Sequence, residues 1–288
     1  MTPITARVLA SSGAMSDHAL RGDYSRAAAD FSMPQDMNAY SAEHHDLWRR
    51  LFNRQVALAK THACQEFLDG LKDLDVASGV PDFEQTNRTL RRQTGWELIA
   101  VPGLIPNDAF FTHLANRRFP VSWWIREEKE IDYLVEPDVF HDFFGHVPLL
   151  SHPVFADYMQ VYGQQGLAAQ AAGQVQRLSR LYWYMVEFGL IKNGQGLRAF
   201  GAGILSSFGE TRFAIESSIP HRVRFDLGRV LRSEYRIDSY QAIYFVVESF
   251  DELFDASRAD LLPLYDELRF RPDIPADARL PEDGVITI

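Results

Sequence analysis

The sequence predicts a mainly α-helical fold with a few short β-strands. Three observations predict it. After Ser41, apolar residues recur at helical spacing, with Leu47, Trp48, Leu51 and Phe52 followed by Phe67, Leu68 and Leu71. Segments of strand character, at 96–101, 119–125 and 240–247, are short and bounded by turn residues. No internal repeat or low-complexity linker divides the 288 residues, and a 46% hydrophobic content suffices for one large core.

Taken in order, residues 1–35 are rich in Ser, Ala, Asp and Met and read as a loosely ordered lead-in. They lack the charged start and apolar centre of a secretory signal. Ser41 caps a long helix expected from about 42 into the seventies, with Cys64 as an inert packing residue on it. A second helix covers 83–93 and is stopped by Gly95; the strand at 96–101 then leads into Pro102 and Gly103. Residues 104–111 contain Pro106 and Asn107 and read as a loop with exposed apolar side chains. The strand at 119–125 ends at Arg126 and an acidic turn.

Further along, a helix is expected from 153 to about 163, its end loosened by the glycines and alanines of 163–173. A helix over 174–190 precedes a turn at 192–196. Residues 198–208 are small and glycine-rich, which suits a strand or loop in close backbone contact. A strand at 240–247 and a final helix at 251–268 complete the folded region, 36–268. The tail, 269–288, carries Pro272, Pro275 and Pro281 and no heptads, so it offers no oligomerising coil.

A net charge of -10 with no basic run argues against nucleic acid as a partner. No apolar run approaches the roughly 18 residues of a membrane span. The single cysteine, Cys64, cannot form an internal disulfide and fits a reducing compartment. A soluble, cytoplasmic protein is expected.

The chemistry gathers in Glu136-Pro-Asp-Val-Phe-His-Asp-Phe-Phe-Gly-His-Val-Pro148. On a straight α-helix two side chains five residues apart diverge by roughly 140°. His141 and His146 can therefore share a metal only if the helix is ending there, and Gly145 and Pro148 supply that distortion. Glu187 lies in the apolar run 181–191, and a carboxylate buried there must be paired, protonated or metal-bound. Two imidazoles and a carboxylate suit a non-haem iron(II) that activates oxygen. Zinc accepts the same donor types, which keeps a zinc hydrolase open, although no HExxH motif is present.

That histidine segment, together with Tyr182-Trp-Tyr-Met-Val-Glu-Phe-Gly189, Gly201-Ala-Gly-Ile-Leu-Ser-Ser-Phe-Gly-Glu210 and Tyr244-Phe-Val-Val-Glu-Ser-Phe250, resembles the aromatic amino acid hydroxylases. The likeness is strongest to the short bacterial members that act on phenylalanine, and it covers roughly 101–250. It implies a mostly helical catalytic domain around a non-haem iron. It implies hydroxylation of L-phenylalanine to L-tyrosine with O2 and a tetrahydropterin, tetrahydrobiopterin or a related reduced pterin. Another aromatic amino acid, such as tryptophan, is the near alternative. The animal members carry a regulatory domain and a tetramerising helix; the chain has room for neither, which implies a monomer.

Residue by residue, the resemblance makes His141, His146 and Glu187 the iron ligands. Arg126 would pair with the carboxylate of the substrate, while Pro137, Trp183 and Phe140 line the slot for its ring. Gly203 and Ser206 match positions near its backbone. Phe110 would stack on the pterin, and Val101, Gly103, Leu104 and Ile105 hold its edge, with Asp142 and Tyr182 facing the same site. Two positions depart from the animal enzymes: Leu134 replaces a threonine near the substrate and Pro120 a histidine near the pterin.

Overall fold

Ser41 starts the first helix in the computed structural model, which describes residues 20–132 and 134–287. Its hydroxyl accepts the His44 N–H while the His44 ring accepts the Ser41 N–H, so two orphan donors of the helix start are satisfied reciprocally. The expected single long helix is in fact two, α1 (Ala42–His62) and α2 (Gln65–Leu74). Ala63 and Cys64 between them are extended, and the Cys64 N–H donates to the Ala199 carbonyl at 2.9 Å. Pairing with a strand distant in sequence breaks a pattern that is helical throughout. Cys64 is fully buried there, and burial pushes its thiol far up, out of reactive range.

Helix α3 (Phe83–Gln93) is capped by Asp82, and Gly95 stops the chain with φ +76°, where glycine carries no steric penalty. Strands β1 (Glu97–Val101) and β2 (Arg118–Ser122) pair in parallel, Val101 opposite Ser122. Their connection corrects the expected loop at 104–111, since it contains α4 (Asn107–Ala115) with Phe110, Phe111 and Leu114 buried. Against it lies α5 (Pro153–Ala171), which runs eight residues past its expected end at 163. Its glycines do not loosen it. A Cβ at Gly163 would come within 2.4 Å of the Ala115 nitrogen, and one at Gly166 within 2.2 Å of the Phe111 ring. They let two helices touch, and that burial outweighs their low helix propensity.

The helix expected at 174–190 is α6 (Val175–Leu181) continued by a π-turn, Tyr182–Glu187. The turn at 192–196 is a hairpin joining β3 (Leu190–Asn193) and β4 (Gly196–Ala199). After the short α7 (Ala202–Leu205) and α8 (Phe208–Glu216), β5 (His221–Arg224) and α9 (Leu227–Arg232) lead to β6 (Ile243–Val247). These strands form a four-stranded sheet in the order β4-β3-β6-β5, with β6 parallel to both neighbours. The final helix is also two, α10 (Phe250–Ser257) and α11 (Leu262–Leu268), with Pro263 in the first turn of the second.

One apolar cluster extends from Met33 to Leu268, and Trp48 of α1 packs edge-on against Phe140 and Phe143 beneath the histidine segment. Part of the expected lead-in, 1–19, lies outside the described residues; from Leu20 onward the chain packs on the domain, with the Tyr24 hydroxyl donating to the Leu104 carbonyl at 2.7 Å. The tail returns to the sheet edge, where the Ile286 N–H donates to the Arg222 carbonyl. Among the described residues no helix is long and apolar enough to cross a membrane.

Candidate metal centre and its surroundings

His141 and His146 lie at the two ends of a π-turn, His141–His146, so the helix does not end between them as the sequence suggested. It widens. Hydrogen bonds that reach back five residues bring residues five apart onto one face, which an α-helix cannot do. The two rings stand 5.2 Å apart at 86° to one another. Gly145 keeps ordinary backbone angles; its lack of a side chain serves packing, because a Cβ would lie 2.9 Å from the Ala202 Cβ.

Glu187 ends the second π-turn and faces both imidazoles, with Oε2 3.6 Å from His141 Nε2 and Oε1 3.3 Å from His146 Nε2. All three side chains are at most 5% exposed. His141 Nδ1 lies 2.8 Å from Ser206 Oγ, and the Ser206 hydroxyl donates its one proton to the Ala202 carbonyl. Ser206 must then accept, which places the His141 proton on Nδ1 and leaves Nε2 as a lone pair aimed at Glu187. Burial holds the His141 ring neutral, with a pKa near 4, against the opposing pull of Glu187. A neutral nitrogen donor beside a carboxylate is what a divalent cation requires.

Asp142 is a fourth donor: it, His141 and His146 offer ligand atoms within 4.8 Å of one another. The four groups thus form two overlapping donor sets. They differ in their ties, since Asp142 Oδ2 accepts the Ser122 N–H at 2.7 Å. That bond ties the π-turn to the β1–β2 pair, where Ser122 lies opposite Val101, the residue from which the loop through Gly103, Leu104 and Ile105 leaves β1. Val101 and Ile105 are buried. Phe110 meets Tyr182 edge-on at 5.7 Å, and Tyr182 in turn lies 6.1 Å from the His146 ring. The structure therefore brings Phe110, Asp142 and Tyr182 to the histidine side of the site. Gly203 lies on the carboxylate side: its hypothetical Cβ would lie 3.2 Å from Glu187 Oε2. Pro120 is buried in β2 opposite Ile99, and Leu134 is buried in a small cluster with Trp124.

Arg126 answers none of its acidic sequence neighbours. Its guanidinium forks onto Asp138, Nε to Oδ2 at 2.8 Å and Nη2 to Oδ1 at 2.9 Å, and both residues are buried. Asp138 Oδ1 also accepts the His141 N–H at 3.0 Å, capping the turn that starts the histidine segment. Burial alone would raise the Asp138 carboxyl, but Arg126 and these N–H donors hold it below the usual range. The sequence reading missed Asp138. The signal was there: a buried arginine needs a carboxylate, and an aspartate after Pro137 is a good helix cap. Pro137 is buried beside it, while Phe140 stacks on Phe144 at 5.0 Å within the core.

The family profile described as biopterin-dependent aromatic amino acid hydroxylase matches residues 16–261. A phenylalanine-4-hydroxylase of Ralstonia nicotianae is 54% identical over 258 residues, covering 89% of this chain and 82% of that protein. One from Chromobacterium violaceum is 53% identical and covers 91% and 89% respectively. A crystal structure of the C. violaceum enzyme bound to iron and phenylalanine superposes with a TM-score of 0.86 at 52% identity, over 90% of this chain and 95% of that one. A cobalt-bound structure of the same enzyme gives 0.89.

Proposed function

We propose a function from one premise: the chain belongs to the biopterin-dependent aromatic amino acid hydroxylases. It hydroxylates L-phenylalanine to L-tyrosine, using Fe(II), a reduced pterin and O2. The observation that carries this reading is the convergence of His141, His146 and Glu187 from two π-turns, with the His141 lone pair directed inward by Ser206.

His141, His146 and Glu187 hold the iron, and two neutral imidazoles with one carboxylate leave the centre a net charge of about plus one with positions open. Iron and reduced pterin together supply the oxidising power. The chain supplies placement. Asp138 occupies the Nε edge of Arg126 and Nη1 reaches the Ile131 carbonyl at 3.5 Å, and the N–H groups left over on the two Nη atoms would take the carboxylate of the substrate. Pro137, Trp183 and Phe140 line the slot for the aromatic ring, Gly203 and Ser206 border the backbone of the substrate, and Ser206 also orients His141. Phe110, Tyr182, Asp142 and the 101–105 loop would hold the pterin. Buried aromatic walls would keep water from the reacting ring. The same reading takes the protein as a cytoplasmic monomer, checked by light scattering.

The test is reconstitution: protein loaded with iron without air, given L-phenylalanine and a tetrahydropterin, then O2. Tyrosine formed only with iron, pterin and O2 all present is the expected outcome. Pterin and O2 consumed without tyrosine would move the substrate to another aromatic amino acid; no consumption by folded, iron-bound protein would overturn the hydroxylase reading.

A further inference from the structure

Trp183 is the second residue of the π-turn that ends in Glu187, and its carbonyl accepts the Phe188 N–H at 3.0 Å, the five-residue bond that closes the turn. Its indole N–H is buried and donates to Gln241 Oε1 at 2.9 Å. Gln241 is 3% exposed and lies just before β6. Its amide nitrogen donates to the carbonyls of Arg236 at 3.1 Å and Ser239 at 3.4 Å, which sets the amide with its oxygen toward the indole. Its backbone N–H donates to Glu210 Oε1 at 3.2 Å, and that oxygen also accepts the Tyr244 hydroxyl. Tyr235 stacks on the indole face, centroids 4.3 Å apart at 17°. The ring plane is set by Tyr235; its rotation within that plane is set by Gln241.

We propose that Gln241, held by Glu210, is a positioning residue for the aromatic slot: through the Trp183 indole N–H it fixes the slot wall and the π-turn that presents Glu187. The inference rests on the reading of Trp183 as a slot wall. Removing the acceptor leaves a buried N–H unpaired, and the indole then gains by turning toward another partner. The slot loses its fit to a phenyl ring, and the discrimination between phenylalanine and the larger tryptophan weakens.

The test uses the full chain, Gln241→Met, and tryptophan labelled with ¹⁵N in the indole. Of five tryptophans, Trp183 is assigned by loss of its signal in Trp183→Phe. In the wild type its N–H should exchange at least tenfold more slowly than an exposed indole. In Gln241→Met its signal should shift and its exchange quicken, with the other four unmoved. The iron-loaded variant should show KM for phenylalanine raised roughly five- to tenfold, the loss of about one buried hydrogen bond, and kcat changed less. The effects of Gln241→Met and Trp183→Phe on KM should be non-additive, because both remove one bond. Fast exchange of the Trp183 N–H in the wild type overturns the proposal even if the variant fails to fold. So does a folded, active Gln241→Met with KM and indole signal unchanged. Wild-type protein that makes no tyrosine sinks the hydroxylase reading instead, and the indole signal alone then decides whether Gln241 holds Trp183.

Discussion

The histidine–carboxylate pocket and the acidic loop after Arg126 are close in sequence, yet different forces hold them. The pocket is made of side chains at most 5% exposed, set by two π-turns and by glycines that let backbone meet backbone. A Cβ at Gly201 would come within 2.4 Å of the Glu187 carbonyl. The loop at 127–132 is instead tied down by arginines from elsewhere: Arg21 to Glu127 and Glu130, Arg50 to Glu128, Arg54 to Asp132. Of these carboxylates only the Glu130 side chain is less than half exposed, so water and salt screen most of the pairs. Packing gives the pocket one geometry, while exposed ion pairs leave the neighbouring loop sensitive to ionic strength. Asp138 joins the two, since it holds Arg126 on one side and caps the histidine turn on the other.

The contrast can be broken at several depths. Glu187→Gln removes the anionic donor and should lower iron content and tyrosine formation by about 10³-fold or more, with the fold intact by circular dichroism. Near-normal iron binding would transfer the ligand role to Asp142. Asp138→Asn leaves the Arg126 cation buried without its carboxylate and should cost about 3–5 kcal/mol in urea unfolding. A loss no greater than that of an exposed pair would erase the distinction drawn here.

A subtler probe is Glu210, whose carboxyl burial raises to about 7 against the opposing Tyr244 hydroxyl and Gln241 N–H. The folded state then binds the extra proton between about 4.5 and 7, so this group's contribution to stability is lost as pH rises through that window. Glu210→Gln should flatten that fall, measured as urea midpoint against pH in metal-free protein; an unchanged slope would refute it. The smallest effect belongs to the loop. Arg50→Ala should raise KM for phenylalanine less than about twofold at low salt and not at all in about 0.5 M NaCl. An effect that persists in salt would mean the loop is held by packing after all.

Much of the site was legible because its chemistry is local. His141, His146 and Glu187 stand out as polar groups in apolar runs, and a buried polar group demands a partner wherever the chain goes. Phe110 and Tyr182 were placed by resemblance, and the structure sets them edge to face, with Tyr182 beside His146. What stayed hidden depends on partners far away in sequence. Ser206 was read only as a position near the substrate, and its bond to His141, 65 residues away, was not foreseen. Arg126 was read for its place near the substrate, and its buried partner Asp138, twelve residues on, was not foreseen. Gln241 carried no signal, since a glutamine next to a strand is ordinary until an indole 58 residues earlier donates to it.

By itself, the order of residues determined the helical class, the start of α1 at Ser41, the stop of α3 at Gly95, and which donors could bind a metal. Caps, periodicity and ligand chemistry act over a few residues, so they can be read from a few residues. Only the tertiary structure decided where helices break or continue. Ala199 interrupts a helical pattern at Cys64, and α4 carries α5 past Gly163 and Gly166. It also decided that the histidines meet on a widened turn rather than at a helix end. Such choices turn on differences of about a kilocalorie per residue, which local propensity proposes and the burial of distant surfaces overrules.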